Sequence, residues 1–126
     1  MIKARLVTAL FVLALPSTSA LAQTGEEVLM RCLPAVKELE GARIPENQVE
    51  GARWCVGYLA GMIDGITLMT SHLATAKICF PKEGLSPYQS AKVVTDWLKA
   101  NPRTLHDSGR VSVVVALGTA FPCASR

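Results

Sequence analysis

Four cysteines, two histidines and one aspartate inside an apolar stretch are the residues of this 126-residue chain whose types could do chemistry. The cysteines stand at 32, 55, 79 and 123. No pair has C-x-x-C spacing, so neither a dithiol redox motif nor a zinc knuckle is encoded, and without C-x-x-C-H there is no covalent haem attachment. An even count in a small chain of exported character predicts two structural disulfides. His72 and His106 lack further ligands at metal-binding spacing, so no metal site is expected. Asp64 lies in Trp54-Cys55-Val56-Gly57-Tyr58-Leu59-Ala60-Gly61-Met62-Ile63-Asp64-Gly65-Ile66. His72 is eight residues further on, about 80° round a helix, and no other carboxylate or histidine falls within helical reach. Asp64 is therefore read as a structural carboxylate accepting hydrogen bonds from a loop N–H, Tyr58 or Trp54. There is no G-x-S-x-G and no phosphate-binding glycine loop. The chain reads as a protein without cofactor that is not an enzyme.

The elements that would position these groups are helical. In the stretch around Asp64, Gly57, Gly61 and Gly65 recur every four residues and share one stripe of a helix, with Tyr58 beside them. Glycine inside a helix costs about 1 kcal/mol against alanine. The compensation expected is close packing of a neighbouring helix of the same chain, or alternatively a seam between two copies. Cys55, Leu59, Met62, Ile66 and Met69 form a second stripe, and the remaining sector is hardly polar. A helix apolar nearly all round is expected to be buried. This helix should start at Glu46 or Asn47 and run to about Ala74, as the centre of the fold.

Before it, Thr24 and Glu27 have capping-box spacing, followed by Val28, Leu29, Cys32, Val36 and Leu39 at helical period, with Pro34 predicting a kink or break. Gly41 is placed as the residue that ends this helix, with Pro45 as a stop. After a loop around Cys79-Phe80-Pro81, Ser86-Pro87-Tyr88-Gln89 combines N-cap, N1 proline and N3 glutamine and starts a helix to Ala100. Its core face is Ala91, Val94, Leu98 and Tyr88, leaving Trp97 on a flank where it either covers a neighbour or marks a contact surface. Asn101-Pro102 ends it. Val111 to Val115 is β-branched, but the apolar run outlasts a typical strand and has no pairing partner, so a buried helix from about Thr104 or Asp107 to Ala120 is expected.

Residues 1–22 carry the marks of a cleaved signal peptide: Lys3 and Arg5, an apolar run from Leu6 to Leu15, Pro16, and Ala20-Leu21-Ala22 as the cleavage site. Residues 23–126 would then form a single all-α domain. Neither this run nor any later one suits a membrane span. The net charge of +3 falls to +1 without Lys3 and Arg5, giving no electrostatic case for nucleic acid.

Two antiparallel helical hairpins make the disulfide pairing a geometric question, because residues equidistant from a turn face each other. Cys32 and Cys55 are centred between 43 and 44, inside the first turn, and Cys79 and Cys123 are centred on 101, at Asn101-Pro102. The pairing Cys32–Cys79 with Cys55–Cys123 lacks that symmetry. We therefore expect Cys32–Cys55 and Cys79–Cys123, each worth about 3 to 4 kcal/mol in the chain-entropy view.

The ordered set of an early Cys32, Cys55-x-Gly57-Tyr58-x-x-Gly61-x-x-Asp64-Gly65, Cys79-x-Pro81, Gln89, Trp97-Leu98-x-x-Asn101-Pro102, Leu105-His106 and Ala116-Leu117 to Ala120-Phe121-Pro122-Cys123 resembles the Rap/Tai family of type VI secretion immunity proteins. The resemblance spans nearly all of residues 23–126. It implies a small all-α four-helix bundle with two disulfides in the periplasm, binding and blocking a peptidoglycan amidase toxin, often as a homodimer. Inhibition would proceed by occlusion. Trp97 and the turn carrying Arg103, His106 and Asp107 are the candidate partner contacts, although Asp107 also suits a plain helix N-terminus. The alternative reading is a periplasmic helical chaperone or a small hydrophobic-ligand-binding protein.

Overall fold

The computed structural model describes residues 23–72 and 77–124. The expected signal peptide lies outside the described residues. Four helices follow in order: α1 (Gly25–Leu39), α2 (Glu46–His72), α3 (Pro87–Ala100) and α4 (Gly109–Ala120), with a 3-10 turn at Pro102–Thr104. Among the described residues there is no strand, only isolated bridges between Thr24 and Ser108 and between Ile78 and Pro122.

Local sequence explains where these helices begin and end. At α1 the Thr24 hydroxyl accepts from the Glu27 N–H at 3.2 Å while the Thr24 N–H donates to the Glu27 carboxylate at 3.2 Å. At α3 the same reciprocal pair joins Ser86 and Gln89, both bonds at 3.1 Å. Gly41, at φ +81°, closes α1, with its N–H donating to Glu38 O at 3.0 Å and Ala42 N–H donating to Lys37 O at 2.9 Å. That is the Schellman arrangement, and it needs the left-handed residue that glycine supplies. Pro34 does not interrupt α1, which runs through it with the ring buried.

Each helix contributes a stripe to one core: Val28, Cys32, Ala35 and Val36 from α1, Ala52, Cys55 and Leu59 from α2, Ala91, Val94 and Leu98 from α3, and Val113, Ala116 and Leu117 from α4. The pairing predicted from turn symmetry is present. Cys32–Cys55 joins α1 to α2 across a Cα–Cα distance of 5.1 Å, with both residues fully buried. Cys79–Cys123 joins the segment before α3 to the tail after α4, across 4.9 Å.

Three expectations are corrected. First, α2 is not buried all round. It has 27 residues, about 40 Å, against 15 residues, about 22 Å, in α1. An antiparallel α1 can cover only its first half, so no residue of α2 after Leu59 is fully buried, and Leu68 and Met69 are 63 % and 60 % exposed. Second, Gly57, Gly61 and Gly65 are exposed, and a Cβ at any of them would meet nothing within 4 Å among the described residues, so they are not a close-packing face inside the chain. Asp64, on the same side, is exposed and is not a buried carboxylate. Third, α4 is a helix but only half sunk, with Val111, Val114 and Val115 at least 40 % exposed.

The glycines that permit close approach are elsewhere. A Cβ on Gly109 would stand 2.7 Å from Val28 Cγ2 and 2.9 Å from the carbonyl oxygens of Gln23 and Thr24. One on Gly25 would stand 3.1 Å from both Leu98 Cδ2 and Thr104 O. Two helix N-termini therefore cross where a Cβ on Gly109 would not fit and one on Gly25 would need its neighbours to give way. Gly109→Ala is expected to lower the unfolding free energy by about 1–3 kcal/mol. Gly61→Ala, in open space on a helix, is expected to raise it by about 0.5–1 kcal/mol. Urea unfolding midpoints at unchanged slope measure both.

Candidate partner-binding surface

The candidate turn is built from the end of α3. Asn101 lies between α3 and the 3-10 turn, and its Nδ2 donates to Trp97 O at 2.8 Å. Its own carbonyl accepts from the Thr104 N–H at 3.0 Å and from the Thr104 hydroxyl at 2.8 Å. Thr104 O then accepts from the Asp107 N–H at 3.0 Å. This relay curls the chain after Pro102, where the ring has already removed a donor.

The turn is clamped from the other side by α1. Gly25 N–H donates to Asp107 O at 3.0 Å and Glu26 N–H to Leu105 O at 2.9 Å. Together with the Thr24–Glu27 capping box, these satisfy all four N–H groups that a helix start leaves unpaired. In the same crossing Gly109 N–H donates to Gln23 O at 2.6 Å. The backbone of Leu105 to Gly109 is thus held, while the side chains of Arg103, His106 and Asp107 are exposed.

The structure brings Arg103, His106 and Asp107 into one exposed turn. Trp97 sits a helical turn before it on α3, half-buried and packed against the core, so much of its ring serves the bundle rather than the surface. His72 is the last residue of α2 and exposed, on a different element from His106. Among the described residues no group of three or more His, Cys, Asp or Glu side chains could hold a metal ion.

A second cluster was not singled out in the sequence. The rings of Trp54 and Tyr58 stack at 4.7 Å with 14° between their planes, and the Arg31 guanidinium lies over the Trp54 ring, 4.9 Å from its centroid. The i, i+4 spacing of the two aromatics was the available signal. Arg31 comes from α1, and only the docking of α1 on α2 delivers it. Gly51 of α2 lies beside it, where a Cβ would make an ordinary contact with Arg31 Cα at 3.7 Å. This stack stiffens the first hairpin on its outer side.

These elements define a class: a small all-α domain of two disulfide-closed hairpins with a clamped turn at one end. A model of the family described as Rap1a immunity proteins matches residues 24–123, and the chain belongs to that family. Its role is accordingly that of an immunity protein, which implies a toxin as its binding partner. No curated relative and no solved structure matches it. No helix among the described residues is long and apolar enough to cross a membrane.

Burial raises the pKa of the Tyr58 phenol above its ordinary value of 10.0, and the positive charge of Arg110 works against that rise. Arg110→Gln should therefore push Tyr58 ionisation higher still, read by ultraviolet difference titration. Because the folded pKa lies above the unfolded one, the contribution of Tyr58 to stability is complete below pH 10.0 and is lost as pH climbs through the folded value. Tyr58→Phe should remove that share of the alkaline loss in unfolding curves.

Proposed function

We propose that this protein is a periplasmic immunity protein that binds a peptidoglycan amidase delivered by a type VI secretion system and occludes its substrate groove. The observation that carries this reading is family membership across residues 24–123. The N-terminal sequence supports export, with residues 1–22 as a cleaved signal peptide and residues 23–126 as the domain. Two disulfides agree with an oxidising compartment.

The protein acts as an inhibitor rather than an enzyme. Arg103, His106 and Asp107 are the proposed contacts, because their backbone is clamped by α1 while their side chains are free to meet a partner. Trp97 contributes from the neighbouring turn of α3. A homodimer is the proposed assembly, and the exposed valines of α4 supply apolar surface for it.

One observation favours the alternative, a helical chaperone or hydrophobic-ligand binder. A groove of about 490 Å³ runs between the second half of α2 and the segment before α3, lined in part by Ile63, Ile78, Phe80 and Leu85. Uptake of an apolar dye by the purified monomer, without any amidase complex, would favour that reading.

The deciding experiment is a titration of the purified protein into a peptidoglycan amidase of the type VI secretion class, sought first in the neighbouring reading frames. A saturable complex that blocks peptidoglycan cleavage is expected. His106→Ala and Arg103→Ala should each weaken it by about tenfold or more, with unchanged melting temperature. Trp97→Ala should weaken it too, but also lower stability, because the ring packs on the core. Undiminished affinity in the His106 and Arg103 variants would move the contact surface away from this turn.

A further inference from the structure

The two disulfides stand in opposite environments. Cys32 and Cys55 are both 0 % exposed and belong to the hydrophobic core. Cys79 is exposed and Cys123 half-buried, and Pro81, Lys82 and Glu83, which follow Cys79, are exposed as well. Disulfide exchange requires a thiolate to reach a sulfur atom, so access decides which bond reacts in the folded protein. A buried bond can react only when the core opens, and that costs a large part of the global stability.

The exposed bond also has a backing that survives its cleavage. Cys79 N–H donates to Phe121 O at 2.9 Å, and Cys123 N–H donates to Lys77 O at 3.3 Å. The Phe80 and Phe121 rings meet edge to face at 5.7 Å. Ile78 packs beside Gly118 of α4, where a Cβ would make an ordinary contact with Ile78 Cγ1 at 3.5 Å. With the sulfurs parted, these contacts keep the two cysteines side by side and favour re-formation of the same pair.

We propose that Cys79–Cys123 is a thiol–disulfide exchange site, opened and remade on the folded chain by a dithiol–disulfide protein, while Cys32–Cys55 is closed to exchange. A thiolate of the dithiol attacks the Cys79 sulfur, forming a mixed disulfide and releasing Cys123 as a thiolate. The second thiol of the donor then attacks its own sulfur in the mixed disulfide and releases Cys79. The donor leaves oxidised to its disulfide, and the chain has taken up two electrons and, at neutral pH, two protons. The oxidised form of the same class of protein reverses the sequence. Reduction leaves Ile78 to Leu85, which line the groove against α2, held by packing and hydrogen bonds alone.

The test uses the native protein without denaturant. It is incubated with reduced thioredoxin, its reductase and NADPH, and separately with dithiothreitol, then alkylated and mapped by mass spectrometry over time. Cys79 and Cys123 should become labelled at least about tenfold faster than Cys32 and Cys55, with helical circular dichroism retained. Oxidised glutathione should then restore the Cys79–Cys123 pair. The double variant Cys79→Ser with Cys123→Ser should keep the helical spectrum. Labelling of all four cysteines at one rate, earlier labelling of Cys32 and Cys55, no labelling short of denaturant, or an unfolded double variant would each overturn the proposal.

Discussion

The start of α1 and the segment before α4 lie closer together than any side chain allows, and the rest of the structure depends on that approach. The Gly109 Cα faces Val28 and the carbonyls of Gln23 and Thr24 with no space for a Cβ. The approach lets the carbonyls of Leu105 and Asp107 act as caps for α1, whose first N–H groups would otherwise be unpaired in a partly buried place. One contact region thereby fastens the first hairpin to the second and sets the conformation of the turn between α3 and α4. Val28, fully buried at this crossing, carries the arrangement directly into the core.

The disulfides act on a small fold. About a hundred residues bury one modest core, and the longest helix is half uncovered. Cys32–Cys55 lies within the core and ties α1 to the first half of the much longer α2. Cys79–Cys123 closes the other end from outside, where the chain is extended and has few buried residues. Each bond limits the unfolded ensemble, but only the first is also packed in the interior. Stability and accessibility are thus divided between the two staples rather than shared.

Much of the architecture was legible in the sequence because it is set locally. Thr24 with Glu27, Ser86 with Gln89, and Gly41 after a helical run announce their roles through side chains that bond a few residues away. The disulfide pairing was legible because two hairpins impose a mirror about each turn. Burial was not, because periodicity identifies the face of a helix but not what covers it. Gly57, Gly61 and Gly65 looked like a packing face only on the assumption that α2 had a partner along its whole length. The assumption fails beyond Leu59, and Asp64 goes to solvent with the glycines. Gly25 and Gly109 are isolated in sequence, and their role depends on a crossing of elements more than eighty residues apart. Trp97 was legible as an outlier of its helix, but its packing against the core is a tertiary fact.

For a protein of the Rap1a immunity family, the physical requirement is affinity for a toxin, and affinity is reduced by any ordering that binding must impose. A turn whose backbone is already fixed lowers that cost. Asn101 and Thr104 hold the turn from α3, and Gly25 and Glu26 hold it from α1. The ordering entropy is therefore spent when the protein folds, and in the proposed contact Arg103, His106 and Asp107 would restrict only their own rotamers. Under the proposed occlusion, the turn would act by its shape rather than by reactive groups. Occlusion asks for shape held in place, and shape here is held by backbone hydrogen bonds and by glycines that let two helix starts touch.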